Sequence, residues 1–417
     1  MARLSPDFSK KLVRVHELRG SDVMPLVSVV IATRNRADLL REAIDSVFAQ
    51  QGTGELFDLE VIVVDDASSD HTPNVVARYG AARNIRLNEN RGLSGARNAG
   101  IEASTGKYVA FSDDDDLCLP EKLRLHVAAL ERDPSVGVAY GQYYINQKVG
   151  RPILVPEVRH APSGWVLGAM LTGEWHFSMC NVLVRRDAFG KAGYFDETAT
   201  YVEDRDMLFR LAFHVPFVFV PGPVFVYRPA IGGLGGIDGA KRAAALRPVL
   251  EKVLAMLPET EESVRIKEIV WAQFGLQLAP HMARNGDLEE AYASILRGLR
   301  AQPAWTKNRL ARKAIASFSR ALGVKSREPI EMLGRFCKEI VTSTQDGEDR
   351  GTVRAILADV WREGAIGIGM SPRRAPGIVG YAAVRAASLD PIRAASRDLL
   401  KALAKSVLLH HRTFRQH

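Results

Sequence analysis

Four consecutive aspartates, Asp113 to Asp116, follow directly on an apolar run from Tyr108 to Ser112. The β-branched and aromatic residues of that run predict a buried strand, so the carboxylates would lie at one edge of a sheet. Adjacent carboxylates repel one another, and oxygen atoms are the ligands that Mg²⁺, Mn²⁺ and Ca²⁺ prefer. A divalent-cation site is therefore one interpretation of this run, and a solvated acidic turn is the other.

Two other candidate strands also end in polar residues. The run Leu26–Ala32 stops at Thr33-Arg34-Asn35-Arg36, and the run Leu59–Val64 stops at Asp65-Asp66. Segments with helical spacing separate these strands, which predicts an α/β fold with a mostly parallel central sheet and helices on both faces. Because ligands bind outside the carboxyl ends of strands in such sheets, the three polar ends favour a functional site over a solvated turn.

Composition sets broad limits on the protein class. The chain has 417 residues, enough for two domains, and a net charge of +8 that permits contact with anionic lipid, nucleic acid or a phosphorylated substrate. Its three widely spaced cysteines indicate neither a disulfide framework nor a zinc site, which favours a reducing compartment. Residues 1–24 lack the apolar core of a signal peptide, and no window reaches the roughly 18 apolar residues of a membrane span. A cytoplasmic location is the expectation.

The second half of the chain changes character. Residues 215–227 are apolar and β-branched but contain prolines, which predicts edge-like strands, and Gly232–Gly236 predicts either a mobile lid or an interdomain hinge. From about Ala240 the pattern is helical to the end, with a helix pair joined at Asn285-Gly286-Asp287. The last helix, residues 391–409, is amphipathic with a basic face. Peripheral contact with an anionic membrane and ordinary packing both fit it.

Six segments, in order along residues 26–227, together resemble the family 2 glycosyltransferases, which use the GT-A fold. They are Val29–Arg36, Val63–Asp70, Asn90–Gly100, Phe111–Asp116, Gly193–Glu197 and Glu203–Asp206. Each segment is a weak signal by itself, and their number and order carry the resemblance. The helical C-terminal half lies outside it.

The resemblance implies three regions and an activity. The regions are an N-terminal extension (1–24), a GT-A catalytic domain (25–238, with a nucleotide-binding half 25–117 and an acceptor half 118–238) and a helical domain (239–417). The implied activity transfers a sugar from a nucleotide-diphosphate donor, UDP-linked in many members, to a hydroxyl of a carbohydrate or glycoconjugate acceptor. The displacement would be inverting, and surface polysaccharide assembly is the implied setting. No nucleic-acid partner is expected.

The resemblance also assigns residues to the donor and to a metal ion. The donor nucleotide would contact Thr33, Arg34, Asn35, Arg36, Asp65, Asp66, Arg97, Asp113 and Asp114. A Mn²⁺ or Mg²⁺ ion would bind Asp115 and Asp113. The registry of these metal ligands is open by one residue, because four aspartates contain two Asp-x-Asp pairs.

Further residues are implied for catalysis and for the acceptor. Asp204 would act as the base, with Glu203 beside it, and the acceptor would face Trp175 and His176. Many family members carry a histidine shortly after the last strand, but here Tyr227-Arg228 is followed by Pro229-Ala230-Ile231-Gly232. Arg228 could compensate by contacting the diphosphate.

Simpler roles stay open for several of these residues. Asp65 could cap a helix, Asp204 could be an ordinary acid at a helix N-terminus, and Asp116 could cap a helix near Pro120. A nucleotidyltransferase-like enzyme is an alternative. Such enzymes typically need a glycine-rich phosphate-binding loop after the first strand, and the loop Thr33-Arg34-Asn35-Arg36 contains no glycine. A non-catalytic carbohydrate-binding protein is another alternative, although the carboxylates at Asp113, Asp115 and Asp204 are intact.

Overall fold

The computed structural model describes residues 24–146, 152–155, 161–172, 178–229, 239–301, 311 and 314–319. Within these residues, nine strands form one sheet in the order β3-β2-β1-β4-β8-β6-β9-β5, with β7 paired to β6. The strands are β1 (Leu26–Thr33), β2 (Asp58–Asp65), β3 (Ala82–Arg86), β4 (Tyr108–Asp113), β5 (Leu117–Cys118), β6 (Val138–Ile145), β7 (Ile153–Val155), β8 (Val182–Arg185) and β9 (Phe217–Tyr227).

Helices alternate with these strands and then continue alone. Those within the α/β part are α1 (Ala37–Phe48), α2 (Thr72–Val76), α3 (Gly92–Ala103), α4 (Lys122–Arg132), α5 (Leu167–Leu171), α6 (Ala188–Ala192) and α7 (Glu203–His214). They are followed by α8 (Gly239–Ala255), α9 (Glu261–Asn285) and α10 (Leu288–Ala301). A short 3₁₀ turn, Met179–Asn181, precedes β8. The predicted α/β fold, followed by helices, is confirmed.

The first four strands of the sheet order are parallel and bring the polar strand ends together. Thr33 at the end of β1 pairs with Asp65 at the end of β2, and Ala32 pairs with Asp113 at the end of β4. Strands β1, β2 and β4 are almost entirely buried, as their uninterrupted apolar runs require. The three polar ends therefore lie next to one another at a single edge of the sheet.

The other half of the sheet is mixed rather than mostly parallel. Strand β8 is antiparallel to both β4 and β6, whereas β9 is parallel to β6. The expectation of edge-like strands at residues 215–227 is confirmed in part: β9 lies between β6 and β5, but only Phe225 and Val226 pair with β5. Its prolines are tolerated through register shifts opposite Gln142, whose side chain accepts a hydrogen bond from the Gly222 N–H at 3.0 Å.

Close packing fixes α3 against the sheet. A Cβ at Gly100 would collide with Val30 of β1, so the glycine allows a short approach between helix and strand. Most of α3 is buried, including the polar side chains of Arg97 and Asn98. The helix therefore carries polar groups into the interior beside the polar strand ends.

The described residues form two compact units. One contains the residues up to 229 together with Ala244–Leu257, and the other contains Gly239–Ala243 and the residues from Pro258 onward. Within the first unit, Lys252 of α8 bonds to Asp196 at 2.9 Å and also pairs with Asp206 of α7, which is fully buried. Most of α8 therefore packs with the α/β unit, beyond residue 238 where the sequence places the domain boundary.

In the second unit, α9 and α10 form the helix pair that the sequence predicts. Gly286 ends α9 in the left-handed conformation with φ 101°, a geometry that favours glycine, and α10 begins two residues later. The pair packs closely, because a Cβ at Gly298 would collide with Leu276. None of the helices in the described ranges is both long and apolar enough to cross a lipid bilayer.

Candidate active site

The first two residues of the acidic turn after β4, Asp114 and Asp115, bond to residues at the end of β1 and in the loop that follows it. Asp114 is buried and accepts a hydrogen bond from the Thr33 hydroxyl at 2.8 Å. Arg36 Nη1 bonds to Asp114 at 3.1 Å and also pairs with Asp115. Burial raises the pKa of Asp114 to about 6 and also raises the pKa of Asp115, while Arg36 opposes both shifts. The loop after β1 therefore neutralises one side of the aspartate run.

Arg228, directly after β9, covers the end of this turn. Its backbone N–H donates to Asp116 Oδ1 at 2.9 Å, and its side chain bonds to the Asp115 carbonyl and to Glu42. The remaining nitrogen, Nη2, is buried and has no hydrogen-bond partner. Asp116 does not cap α4, whose N-cap residue is Glu121 and has no side-chain cap hydrogen bond. A partner for the free Nη2 would have to be an acceptor, such as a phosphate oxygen.

Asp113, Asp116 and Cys180 place one ligand atom each within 4.8 Å of one another. Burial first, and then Asp113, raise the pKa of Asp116 to about 8, which indicates negative charge that protein cations leave poorly balanced. Two carboxylate oxygens in this position suit a hard divalent cation, whereas a thiol does not. The sequence pairs Asp113 with Asp115, but in the structure Asp116 lies within 4.8 Å of Asp113, while Asp115 pairs with Arg36.

Arg97 links two acidic elements of the site. The side chain is 2% exposed; Nη2 bonds to Asp113 at 2.8 Å and Nη1 bonds to Asp204. The guanidinium also stacks near the ring of Phe195, 5.3 Å from its centroid. Burial acts to lower the pKa of Arg97, but Asp204 and Asp113 outweigh it and hold that pKa well above its ordinary value. Arg97 thus neutralises the carboxylates of Asp113 and Asp204.

Asp204 and Glu203 occupy the first turn of α7, as the sequence predicts. Asp204 does not cap the helix; besides Arg97, it accepts a hydrogen bond from the Met179 N–H at 3.2 Å. Glu203 is buried, 4.0 Å from Arg97 Nη1. Burial, followed by the charge of Asp204, raises the pKa of Glu203 to about 7. The two acids therefore differ, because Asp204 is held in an ion pair and Glu203 lies in a poorly solvated position.

Asp65 and Asp66 behave differently although they are adjacent. Asp65 is 1% exposed; Oδ1 accepts from the Ser68 N–H at 2.9 Å, while the buried Oδ2 has no hydrogen-bond partner and lies 3.8 Å from Arg86. Both oxygens of Asp66 accept backbone N–H groups, those of Arg91 and Gly92, at the start of α3. One oxygen of Asp65, Oδ2, therefore accepts no hydrogen bond, whereas both oxygens of Asp66 hold the loop before α3 in place.

The loop after β1 is completed by a tight backbone turn. Asn35 has a φ of 53°, its N–H donates to Ser68 at 3.0 Å and its side chain accepts from the Ser69 N–H at 2.8 Å. Arg34 is exposed. These contacts join the ends of β1 and β2 into one wall beside Asp65.

Several predicted residues fall outside the described ranges. They are Trp175, His176, the glycine-rich segment 232–236 and the last helix at 391–409. Cys118 and Cys180 are free and buried.

Sequence reasoning missed three contributors to the site. Asp116 lies near Asp113 because the chain turns tightly after β4, with the Asp116 N–H within 3.3 Å of the Asp113 carbonyl. A spacing of three residues in such a turn is the signal that could have found it. The Met179 N–H and the link from Arg97 to Asp204 depend on long-range contacts, for which the sequence gives no local signal.

Comparison with known proteins agrees with this architecture. Residues 28–193 match the model of the family described as Glycosyl transferase family 2. The chain is 31% identical over 205 residues to an uncharacterized glycosyltransferase of Rickettsia prowazekii, covering 48% of this chain and 63% of that one. It is 46% identical over 105 residues to the succinoglycan biosynthesis protein ExoO of Rhizobium meliloti, covering 25% of this chain and 29% of that one. The chain thus spans less than two thirds of the length of these relatives.

A solved structure shows the same fold. The crystal structure of Staphylococcus aureus TarS, residues 1–349 in complex with UDP-GlcNAc, superposes with a TM-score of 0.50 at 16% identity, covering 86% of this chain and 90% of that one. At this identity the likeness concerns the fold alone. The family match over residues 28–193, the relatives and the arrangement of the strand ends agree with one another, and together they support a family 2 glycosyltransferase.

Proposed function

We propose that this protein is a glycosyltransferase that moves a sugar from a nucleotide-diphosphate donor, UDP-linked, to a hydroxyl of a carbohydrate or glycoconjugate acceptor. The reaction is a metal-assisted, inverting displacement. One observation carries the proposal: a single buried arginine, Arg97, holds Asp113 at the end of β4 and Asp204 at the start of α7. A donor-side acid and a candidate base thus share one cleft.

The ends of β1 and β2 provide the nucleotide side. The Oδ2 of Asp65, which lies 3.8 Å from Arg86 but accepts no hydrogen bond, is a buried acceptor that a base N–H would satisfy, and uracil offers such a donor. Asn35 and Ser68 hold the two strand ends together beside it. Asp114 and Arg36 are already bonded to each other, and we assign them to the wall of this pocket rather than to direct contacts.

A divalent cation, Mn²⁺ or Mg²⁺, fits the carboxylates of Asp113 and Asp116; Asp113 also pairs with Arg97, whereas burial and the charge of Asp113 raise the pKa of Asp116 to about 8. When bound, such a cation supplies Lewis-acid stabilisation of a departing diphosphate. Arg228, with its free Nη2, lies at the same turn and would donate to a diphosphate oxygen. This role would replace the histidine that many family members carry after the last strand.

Asp204 is the proposed general base. An acceptor hydroxyl is a poor nucleophile until its proton is removed in the transition state, and a fixed carboxylate can accept that proton. Arg97 and the Met179 N–H fix the two oxygens of Asp204, so the side chain does not have to be ordered when the acceptor arrives. Glu203 beside it stays close to half protonated near pH 7 because of its burial.

The acceptor proposal draws on the relatives. One is named for succinoglycan biosynthesis, and another, from Escherichia coli, is named UDP-Glc:alpha-D-GlcNAc-diphosphoundecaprenol beta-1,3-glucosyltransferase WfaP, 27% identical over 44% of this chain and 68% of its own. We propose that this protein likewise acts in surface polysaccharide or glycoconjugate assembly, from the cytoplasmic side. The basic face of residues 391–409 would hold it at an anionic membrane.

Thermal-shift screening of UDP-, GDP- and dTDP-sugars, with and without Mn²⁺, tests the donor. We expect a stabilising shift with a UDP-sugar that grows when Mn²⁺ is present, since ligands that bind the folded state stabilise it. Slow hydrolysis of the same UDP-sugar, measured as released UDP, should depend on Mn²⁺ and stop in excess chelator. The absence of any shift or release with all three nucleotide classes would contradict the proposal.

Membrane contact has a separate test. Sedimentation with anionic vesicles should recover the full-length chain, and removal of residues 391–417 should release it. A full-length chain that fails to sediment with these vesicles would end the membrane proposal without affecting the proposed reaction.

A further inference from the structure

Lys122, the first residue of α4, is fully buried beneath the site. Its ammonium donates hydrogen bonds to the carbonyl oxygens of Cys180 at 2.7 Å and Phe111 at 3.2 Å, and it lies 3.8 Å from the thiol of Cys118. The three contacts belong to the 3₁₀ turn, β4 and β5. No carboxylate among the described residues forms an ion pair with it.

This placement is unfavourable on several physical grounds. A buried ammonium without a counter-ion loses its hydration and receives only carbonyl dipoles in return. The first turn of a helix also disfavours a positive charge, because the helix dipole is positive there. His126, one turn further along α4, offers no compensation: burial first, and then Lys122, lower its pKa to about 3, so the ring is neutral. Stability alone therefore does not account for a lysine at this position.

The two carbonyls that Lys122 binds belong to the two elements that carry the chemistry. Phe111 lies two residues before Asp113 on the strand that ends in the aspartates. Cys180 follows Met179, whose N–H holds Asp204 at 3.2 Å. Lys122 thus joins the strand of the donor-side acids to the turn that positions the candidate base.

We infer that Lys122 is a positioning residue of this site, which fixes the 3₁₀ turn against β4 and thereby holds Asp204 in place for proton removal. The inference rests on the proposed function, because it needs Asp204 to act as the base. Lys122 contacts neither donor nor acceptor in this account. Its loss should therefore slow the transfer step and leave the binding of the donor intact.

The first test is Lys122→Met, which keeps the length of the side chain and removes its charge. We expect the unfolding midpoint to stay within about 4 °C of wild type, because an unpaired buried charge is removed along with its hydrogen bonds. Donor affinity and stoichiometry in calorimetry should be unchanged, while kcat falls at least about tenfold, as small misplacements of catalytic groups cost this much or more. The matched control is Lys107→Met. Lys107 is an exposed residue directly before β4 that pairs with Glu131, and its substitution should leave the unfolding midpoint, the donor affinity and kcat unchanged.

A double-mutant cycle then separates positioning from a general effect. If Lys122 acts through Asp204, Lys122→Met should lower the residual rate of an Asp204→Asn variant by less than about twofold, because the base is already absent. Multiplicative losses in the double variant, or a weakened donor affinity in the single variant, would overturn the inference.

Folding failure is also decided by experiment. Lys122→Gln keeps an N–H donor and serves as a second variant if Lys122→Met loses its near-UV circular dichroism. Loss of native structure in both variants would make Lys122 a folding residue and overturn the inference. Failure of the proposed function has a different signature, since the wild-type protein and the Lys107→Met control would then lack transferase activity as well.

Discussion

Arg97 Nη2 donates a hydrogen bond to Asp113 Oδ1 over 2.8 Å. The same guanidinium binds Asp204 with its other terminal nitrogen, in a position where the side chain is 2% exposed. A planar fork can hold two carboxylates in a fixed relation, which a lysine ammonium cannot do with the same geometry. The distance between the donor-side acid and the candidate base is therefore set by one side chain.

Arg97→Lys should keep the charge and lose the fork. We expect the rate of transfer to fall at least about tenfold in this variant. In Arg97→Met the rate should fall further, and the free energy of unfolding should decrease by about 3 kcal/mol, because two carboxylates lose a buried partner. Rates and urea unfolding measure both effects. The matched control is Arg91→Lys on the same helix, whose pair with Glu197 is solvent-exposed and should contribute less than about 1 kcal/mol. Equal effects at the two arginines would contradict the role of Arg97.

The metal ligands can be identified by a direct comparison of two aspartates. The structure favours Asp113 with Asp116, whereas the sequence favours Asp113 with Asp115. Asp116→Asn should weaken Mn²⁺ binding at least about tenfold in calorimetry, since a carboxylate ligand is lost. Asp115→Asn should have the smaller effect, because that carboxylate pairs with Arg36. The reverse order would restore the pairing taken from the sequence.

Asp204→Asn should separate binding from chemistry. The substitution keeps the shape of the side chain but removes its basicity, so transfer should fall by about 10²-fold or more. Affinity for the UDP-sugar should change less than about threefold, because Asp204 is proposed to act on the acceptor and not on the donor. Asp187→Asn, at an exposed acid before α6, provides the comparison and should retain full activity. Loss of donor affinity in Asp204→Asn would indicate a structural role instead.

Glu203 should make the stability of the protein depend on pH. Its pKa is about 7 in the folded state against an ordinary 4.5, so between these values the folded protein retains a proton that the unfolded chain has lost. Stability therefore falls as the pH rises from about 4.5 to about 7, by at most on the order of 3 kcal/mol. Glu203→Gln cannot titrate and should make the fall in stability over this range less steep, while Asp114 and Asp116, whose pKa values are also raised, keep part of the slope. Glu55→Gln, at an exposed acid, should leave the slope unchanged.

Asp65→Ala should report on the nucleobase. Removal of the buried Oδ2, which accepts no hydrogen bond, takes away the acceptor that we assign to a base N–H, so UDP affinity should fall at least about tenfold. Mn²⁺ binding in the absence of nucleotide should stay unchanged, since Asp65 is not part of the proposed metal site. Unchanged UDP affinity would remove Asp65 from the donor site and leave it a turn-forming residue bonded to Ser68.

Local sequence patterns were sufficient for the strand ends and for the helix that carries the acids. Thr33, Asp65 and Asp113 follow apolar runs that form parallel strands, and Asp204 precedes the apolar residues of α7, so each position follows from a short pattern. The position of Arg97 does not, because it bonds to a residue 107 positions away. This contact depends on how closely α3 approaches β1. Within α3, the sequence indicates a close approach only through Gly100, which has no Cβ to collide with Val30.

Strand β9 shows a different limit. Prolines at residues 221 and 223 are poor residues for an inner strand, and propensity therefore predicts an edge. The sheet accommodates them through a shift of register opposite Gln142, which bonds to Gly222 in place of a backbone partner. The prolines precede the two residues of β9 that pair with β5, so the edge prediction holds for them, whereas the register shift depends on a side chain of the neighbouring strand that propensity scales do not contain.

The pairing of Lys252 with Asp206 has a practical consequence for anyone who wishes to isolate the catalytic part of this protein. A fragment that stops at residue 238, the domain boundary taken from the sequence, would lack Lys252 and would leave the interior carboxylate of Asp206 paired with Arg210 among the described cations. A fragment that keeps this pairing and the whole first unit extends to Leu257.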